Sequence, residues 1–142
     1  MSTIEMHLEE VRSQLDRVTA AEARAAMSAG AVLVDTRTET QRARYGEVPG
    51  ALVINRTILE WRLDPTSANA VQEALGDPLV IVLCQEGYSS SLAAASLRSL
   101  GVNATDVVGG FDAWHVGWDA EIEGAQADLL QRSGLMAGAS HH

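Results

Sequence analysis

The chain has one cysteine, Cys84, and its neighbours give it the features of a nucleophile. An unbroken apolar run, residues 79–83, leads into Cys84, and an alanine- and leucine-rich run, residues 92–97, follows soon after it. The first run predicts a strand buried on both faces of a parallel sheet, and the second predicts a helix with serines at its start. Cys84 therefore stands at the carboxyl end of a strand, where ligands bind in open α/β sheets.

The loop between this strand and this helix could supply the chemistry. A helix N-terminus directs unpaired backbone N–H groups and the positive end of its dipole at one point, and both favour an anion. A thiol at such a point ionises more readily than a free thiol, and the thiolate is a strong nucleophile. We therefore predict that Cys84 is catalytic and that the loop N–H groups hold an anionic substrate. The predicted substrate-binding residues of the loop are Gln85, Glu86, Gly87, Tyr88, Ser89 and Ser90.

A buried structural cysteine is the alternative interpretation, because free cysteine is among the most buried residue types. The glycine and serines directly after Cys84 argue against it, since Gly87 permits the backbone angles that a closed loop needs. We therefore predict a reactive cysteine.

Four short motifs make the sequence resemble the rhodanese-like domains. Residues 84–89 are similar to that family's active loop, which reads Cys, two variable residues, Gly, one variable residue, then Arg, Thr or Ser. Residues 34–37, 45–51 and 109–114 are similar to the family's Asp-x-Arg, Gly-x-Ile-Pro-Gly-Ala and Gly-Gly-x-x-x-Trp motifs. The motifs follow the family's order, and the resemblance extends from Thr19 to Trp118.

This resemblance implies a fold and a reaction. The fold is α/β and rhodanese-like, with a five-stranded parallel central sheet and helices on both faces. The reaction is sulfur transfer: Cys84 takes a sulfane sulfur from a small-molecule donor such as thiosulfate, forms a persulfide and passes the sulfur to cyanide or a thiol. The resemblance also implies that Asp35 and Arg37 support the loop without reacting, and that no cofactor is needed.

The loop departs from the family pattern in its charge. Many rhodanese-like loops carry an arginine, whereas this loop has none and contains the acidic Glu86. Such a loop is less suited to capturing the thiosulfate dianion. A protein persulfide is therefore a second candidate donor.

Any side-chain cation that steadies an anionic substrate must here be an arginine, because the chain has ten arginines and no lysine. Arg56 follows a predicted strand, residues 51–54, at the edge where a parallel sheet presents its ligands. We predict Arg56 as the anion-binding cation. An exposed arginine, or a partner for Glu60, is an equal alternative.

The alternation of strands and helices predicts an α/β domain with a parallel sheet. Apolar residues spaced by three and four predict an amphipathic helix over residues 1–18. We expect this helix to pack on its own domain, while a seam for a partner stays an alternative. The rhodanese-like domain is expected over residues 19–132, followed by a flexible tail over 133–142 in which His141 and His142 are candidate tag residues.

Composition argues against several classes of partner. A net charge of −9 disfavours binding to nucleic acid or to an anionic membrane. The single cysteine excludes an internal disulfide, and the spacing of Cys and His does not fit a zinc site, so we expect no metal. No secretory signal or long apolar segment is present, which favours a cytoplasmic protein, either a monomer or a homodimer.

Two other classes of function stay open on the sequence alone. Rhodanese-like domains also serve as non-catalytic binding or sensor modules, although these have usually lost the cysteine and Cys84 is present. A phosphatase or arsenate reductase needs an arginine after five further residues, and Ser90 occupies that position here.

Overall fold

The computed structural model describes residues 1–114, which form a parallel sheet enclosed by helices. The strands are β1 (Val32–Asp35), β2 (Leu52–Val53), β3 (Val80–Leu83) and β4 (Ala104–Asp106). The helices are α1 (Thr3–Ser13), α2 (Ala20–Ser28), α3 (Glu39–Tyr45), α4 (Leu59–Leu63) and α5 (Ser89–Ser99), with 3₁₀ turns at Arg56–Ile58 and Gln72–Ala74. The chain is helical again over residues 110–114.

The strands are all parallel and follow the order β2-β1-β3-β4. All four residues of β3 are buried, as expected for a central strand covered on both faces. The register pairs Asp35 with Leu83, so β1 and β3 end side by side. The residues that follow these two strands therefore meet at one edge of the sheet.

The side chains of β3 alternate between the two faces of the sheet, and all of them are apolar, so helices cover both faces. Val80 and Val82 join a core with α4, α5 and Leu15. Ile81 and Leu83 join a second core with α2 and the helical residues 110–114. The predicted fold class, with helices on both faces of a parallel sheet, is confirmed.

The strand count differs from the five that the resemblance implied, because residues 1–114 form a sheet of four. Next to β4, the chain makes only one isolated parallel bridge, between Val18 and Val107. Val18 N–H donates to Asp106 O at 3.1 Å, and Val108 N–H donates to Val18 O at 2.8 Å. Thr19 already caps α2, so helix formation starts at once and prevents a longer pairing at this edge.

The N-terminal helix is shorter than predicted and packs on its own domain. α1 ends at Ser13, whereas the sequence predicted a helix up to Val18. The chain leaves the helix there and brings Val18 to the sheet edge. Leu15 is buried in the core beside α5 and Val11 packs against that core, but Ile4 is 58% exposed. The apolar residues of this N-terminal segment are therefore covered only toward its carboxyl end.

Several predictions concern residues beyond 114. The predicted domain end at residue 132, the tail over residues 133–142 and both terminal histidines lie outside the described residues. Within residues 1–114, no helix has the length and apolar character needed to cross a membrane.

Candidate active site

Cys84 lies directly after β3 and five residues before α5, at the edge where β1 also ends. Its side chain is largely enclosed, with the residue 6% exposed. Two backbone N–H groups donate to its sulfur, from Gly87 at 3.2 Å and from Ser90 at 3.3 Å. Donors at these positions would stabilise a negative charge on Sγ.

The sulfur also serves as the cap of α5. Tyr88, the N-cap residue, makes no side-chain hydrogen bond to the first turn of this helix. One N–H group of that turn, from Ser90, is instead satisfied by Cys84 Sγ. Cys84 Sγ thus lies at the anion-favouring end of a helix of 11 residues.

The other predicted loop residues differ in their exposure and in their hydrogen bonds. Gln85 is half-buried and tied by its side-chain amide, whereas Glu86, Tyr88 and Ser89 are exposed. The role of these three side chains in substrate binding stays a prediction. Of the predicted loop residues, only Gly87 and Ser90 donate a hydrogen bond to Sγ among the contacts of the described chain.

Arg37 and Asp35 form a buried brace beneath the loop. Asp35 Oδ2 accepts from Arg37 Nη2 at 2.9 Å, and both side chains are fully buried. The same guanidinium donates to Gln85 Oε1 at 3.3 Å and to Gly46 O at 2.8 Å. Its central carbon also lies 3.9 Å from the centroid of the Phe111 ring. The brace therefore contacts the loop through Gln85.

The Gly-Gly-Phe segment supports the loop from behind. Phe111 N–H donates to Cys84 O at 2.8 Å, and Asp112 N–H donates to Gln85 O at 3.1 Å. Asp112 also accepts from the Gln85 amide at 2.8 Å. At Gly110, a Cβ atom would lie only 2.5 Å from Cys84 O, so only a glycine allows this approach. The motif was recognised in the sequence, but its contact with the loop was not.

Arginines from the N-terminal segment also reach the loop, and sequence reasoning missed them. Arg12 Nη2 donates to Gly87 O at 2.6 Å, and Arg17 Nη2 donates to the same oxygen at 3.1 Å. Arg17 also pairs with the fully buried Asp106, from Nε to Oδ1 at 2.9 Å. Ser90 and Ser91 hydroxyls each donate to Asp106 Oδ2 at 2.8 Å. Only Asp106 left a sequence signal, as an acidic residue near the carboxyl end of a strand.

Arg56 has a carboxylate partner, the alternative that the sequence left open. Its Nη1 lies 2.9 Å and 3.0 Å from the two carboxylate oxygens of Glu60, and Ser96 Oγ donates to Glu60 at 2.5 Å. Burial raises the pKa of Glu60, but hydrogen bonds from Ser96 and the backbone, together with Arg56, outweigh it and hold this pKa below its usual value. Arg56 remains 41% exposed, and its role toward an anion stays a prediction.

A cavity of about 400 Å³ opens beside the loop. Its lining joins α3 to the loop and to the residues that follow β4. Arg44 supplies a positive charge there, and Glu86 and Asp112 supply two negative charges. The lining residues are Thr40, Gln41, Arg44, Tyr45, Gln85, Glu86 and Asp112.

The chain is similar to known proteins both in sequence and in structure. The sequence model of the rhodanese-like domain matches residues 19–116. The thiosulfate sulfurtransferase GlpE of Pseudomonas fluorescens is 33% identical over 111 residues, which cover 78% of this chain and 94% of that protein. The human single-domain sulfurtransferase TSTD1 matches with a TM-score of 0.58 and 31% identity, over 69% of this chain and 93% of that one.

A further solved structure shares more of the fold. It is RPA3614 from Rhodopseudomonas palustris, a protein of unknown function and possible tyrosine phosphatase. Its TM-score is 0.73 at 30% identity, over 82% of this chain and 92% of that one.

Proposed function

The chain belongs to the rhodanese-like domain family, and we propose that it is a sulfurtransferase that carries a sulfane sulfur on Cys84. The observation that supports this most is the pair of N–H groups, from Gly87 and Ser90, that donate to the sulfur of the only cysteine. The similarity to GlpE and to the human single-domain sulfurtransferase supports sulfur transfer in general. The donor and the order of steps are part of the proposal.

The proposed reaction has two displacements. The Cys84 thiolate attacks the outer sulfur of thiosulfate, a Sγ–S bond forms, and the S–S bond of thiosulfate breaks. Sulfite leaves with the electron pair of that bond. A thiolate or cyanide then attacks the outer sulfur of the Cys84 persulfide, the Sγ–S bond breaks, and the Cys84 thiolate is regenerated.

The loop N–H groups matter in both displacements because the charge stays near Sγ throughout. In the first step, they stabilise the attacking thiolate and then the anionic persulfide. In the second step, they stabilise the thiolate that leaves. Fixed donors of this kind need no reorganisation during the reaction, and the Asp35–Arg37 brace and the segment at residues 109–112 hold them in place.

The charge of the loop makes the natural donor a separate question. Glu86 is exposed and lines the cavity beside the loop, where it would repel a dianion such as thiosulfate. The persulfide group of a small molecule or a protein carries at most one negative charge, whereas thiosulfate carries two. We therefore propose thiosulfate as a working donor in the assay and a persulfide as the natural one.

The proposed function is tested by the mass of the intact protein. Incubation with thiosulfate should add one sulfur atom to the chain, and cyanide should then remove it with release of thiocyanate. An aryl phosphate should give no product, since phosphoryl transfer spreads charge over three oxygens that an arginine normally clamps and this loop contains none. Hydrolysis of the aryl phosphate without sulfur uptake from any donor would refute the proposal in favour of a phosphatase. If the protein carries out neither reaction, the proposal is refuted in favour of a binding module.

We expect Arg56→Ala to raise the KM for thiosulfate about two- to fivefold with a smaller change in kcat, as for loss of an exposed ionic contact. Arg56 follows β2 at the edge of the sheet where Cys84 follows β3, and the two strands are two positions apart, about 10 Å at the usual strand spacing. Steady-state kinetics over a range of thiosulfate concentrations measure both constants.

Glu60→Gln is the matched control, because it removes the carboxylate that competes with the substrate for Arg56. We expect it to change KM in the opposite direction, that is, to lower it. If Arg44→Ala raises KM and Arg56→Ala does not, the anion-binding cation lies instead in the cavity beside the loop.

A further inference from the structure

The N-terminal helix brings a guanidinium group against the sulfur-binding loop. Arg12, in the last turn of α1, donates from Nη2 to Gly87 O at 2.6 Å and from Nε to Ser91 Oγ at 3.1 Å. Its central carbon lies 5.6 Å from the centroid of the Tyr88 ring. The side chain is half-buried, so these contacts are partly shielded from water. α1 precedes residues 19–116, so the family match does not include it.

Arg17 and Asp106 complete a network behind the loop. Arg17 donates to Gly87 O and forms a two-point ion pair with Asp106, at 2.9 Å and 3.1 Å. Asp106 in turn accepts from the hydroxyls of Ser90 and Ser91. Because Asp106 is completely buried, the bonds that its carboxylate accepts are shielded from competing water.

The network holds the same two residues whose N–H groups donate to Cys84 Sγ. Gly87 is held through its carbonyl oxygen, and Ser90 is held through its hydroxyl. The N–H groups of these residues point to the sulfur at 3.2 Å and 3.3 Å. The positions of both donors therefore depend on side chains from outside the loop.

The charges in this network do not cancel. The Arg17 guanidinium is neutralised by Asp106, which leaves no net charge on that pair. Arg12 contacts a carbonyl, a hydroxyl and an aromatic ring, and no carboxylate within residues 1–114 lies in ion-pair distance of it. One positive charge is thus fixed behind a loop that contains Glu86 and no cation of its own.

We propose that Arg12 is a positioning residue that also supplies the positive charge which the loop lacks. Its bond to Gly87 O orients the loop, and its uncompensated charge favours anions at Cys84. The second part rests on the proposed function, in which the donor and the persulfide are anionic. α1 would then be a functional part of the active site.

The test compares two alkylating reagents on Cys84, the anionic iodoacetate and the neutral iodoacetamide. Both reagents react with the same thiolate, so the reactivity of the sulfur cancels in the ratio of their rates. The ratio therefore reports the local charge. The chain has one cysteine, so intact mass follows its labelling without ambiguity. The ratio does not require sulfur transfer, so it is measurable even if the proposed function fails.

We expect Arg12→Gln to lower the iodoacetate-to-iodoacetamide ratio about threefold or more, since clefts of one charge concentrate ions of the opposite sign. Arg12→Lys keeps the charge and should restore most of the ratio. Arg98→Gln is the matched control: Arg98 lies in the last turn of α5, about 13 Å along the helix from Ser89. It should leave the ratio unchanged.

A second measurement keeps the proposal testable if a variant loses stability. In sulfur transfer from thiosulfate, Arg12→Gln should raise KM by a larger factor than it lowers kcat, and Arg12→Lys should recover KM. A ratio in Arg12→Gln equal to that of the wild type, or equal to that of Arg98→Gln, would overturn the proposal. Absence of sulfur uptake in every variant, with the ratio still lowered, would refute the proposed function and leave the charge assignment standing.

Discussion

The Cys84→Ser variant should take up no sulfur from any donor and should keep its fold. A serine hydroxyl does not ionise at neutral pH, so it cannot attack the donor, and it cannot form a persulfide. We expect sulfur transfer to fall at least about a thousandfold, as for loss of a nucleophile in other covalent enzymes. Intact mass after thiosulfate treatment measures the uptake, and thiocyanate release after cyanide measures turnover.

The fold should survive this change because the geometry around the position suits an oxygen. The side chain differs by a single atom, and a hydroxyl can accept from the N–H groups of Gly87 and Ser90 as the sulfur does. Because these N–H groups keep an acceptor, the change avoids the cost of about 1–3 kcal/mol that an unpaired buried donor carries. Thermal unfolding of both proteins provides the control. Sulfur uptake by the serine variant would contradict the assignment of Cys84 as the sulfur carrier.

The Gly87→Ala variant should lose both stability and activity through a clash. Gly87 has a φ of +89°, and a Cβ atom there would lie 2.8 Å from Gly109 N and 3.0 Å from Gly110 N. Both neighbours are backbone atoms, so the loop itself must move and the Gly87 N–H must leave Sγ. We expect a loss of unfolding free energy of about 1–3 kcal/mol from overpacking, beyond the strain of the backbone angle. Sulfur transfer should fall about tenfold or more.

Gly76→Ala is the matched control for that experiment. Gly76 has nearly the same φ, +87°, but nothing lies within 4 Å of its Cβ position. Both alanine variants therefore suffer the same strain of the left-handed region, and only Gly87→Ala adds the clash. Chemical denaturation and sulfur transfer are measured on both proteins. Equal losses in the two variants would show that the contact between the loop and residues 109–110 has no role of its own.

The nature of the fold and the position of Cys84 after the central strand could both be predicted from local patterns. A short apolar run that is buried on both faces predicts a central parallel strand, and residues 80–83 form one. The glycine and serines after Cys84 predicted a loop that closes on a helix, and α5 begins at Ser89. These predictions succeeded because strand burial, helix capping and turn formation depend on residues that are close in sequence.

The number of strands depended on long-range pairing and was overestimated within residues 1–114. Val18 pairs with Val107 at one isolated bridge, and the capping box of α2 begins at the next residue, Thr19. Val18 is extended, but the strand does not continue because the next residue already caps helix α2. α1 ends at Ser13, before the predicted limit, and the chain that follows brings Val18 to the sheet edge.

The residues that surround Cys84 were decided by the tertiary structure. Arg12 reaches Gly87 across 75 positions of the chain, and Arg17 reaches Asp106 across 89. Each is one of ten arginines, and nothing in its neighbourhood distinguishes it from a solvated surface charge. The direction of a helical side chain becomes specific only when the helix docks, and α1 docks on α5 beside the loop. The sequence determined that Cys84 directly follows a strand, and the docking of α1 determined which charged side chains contact its loop.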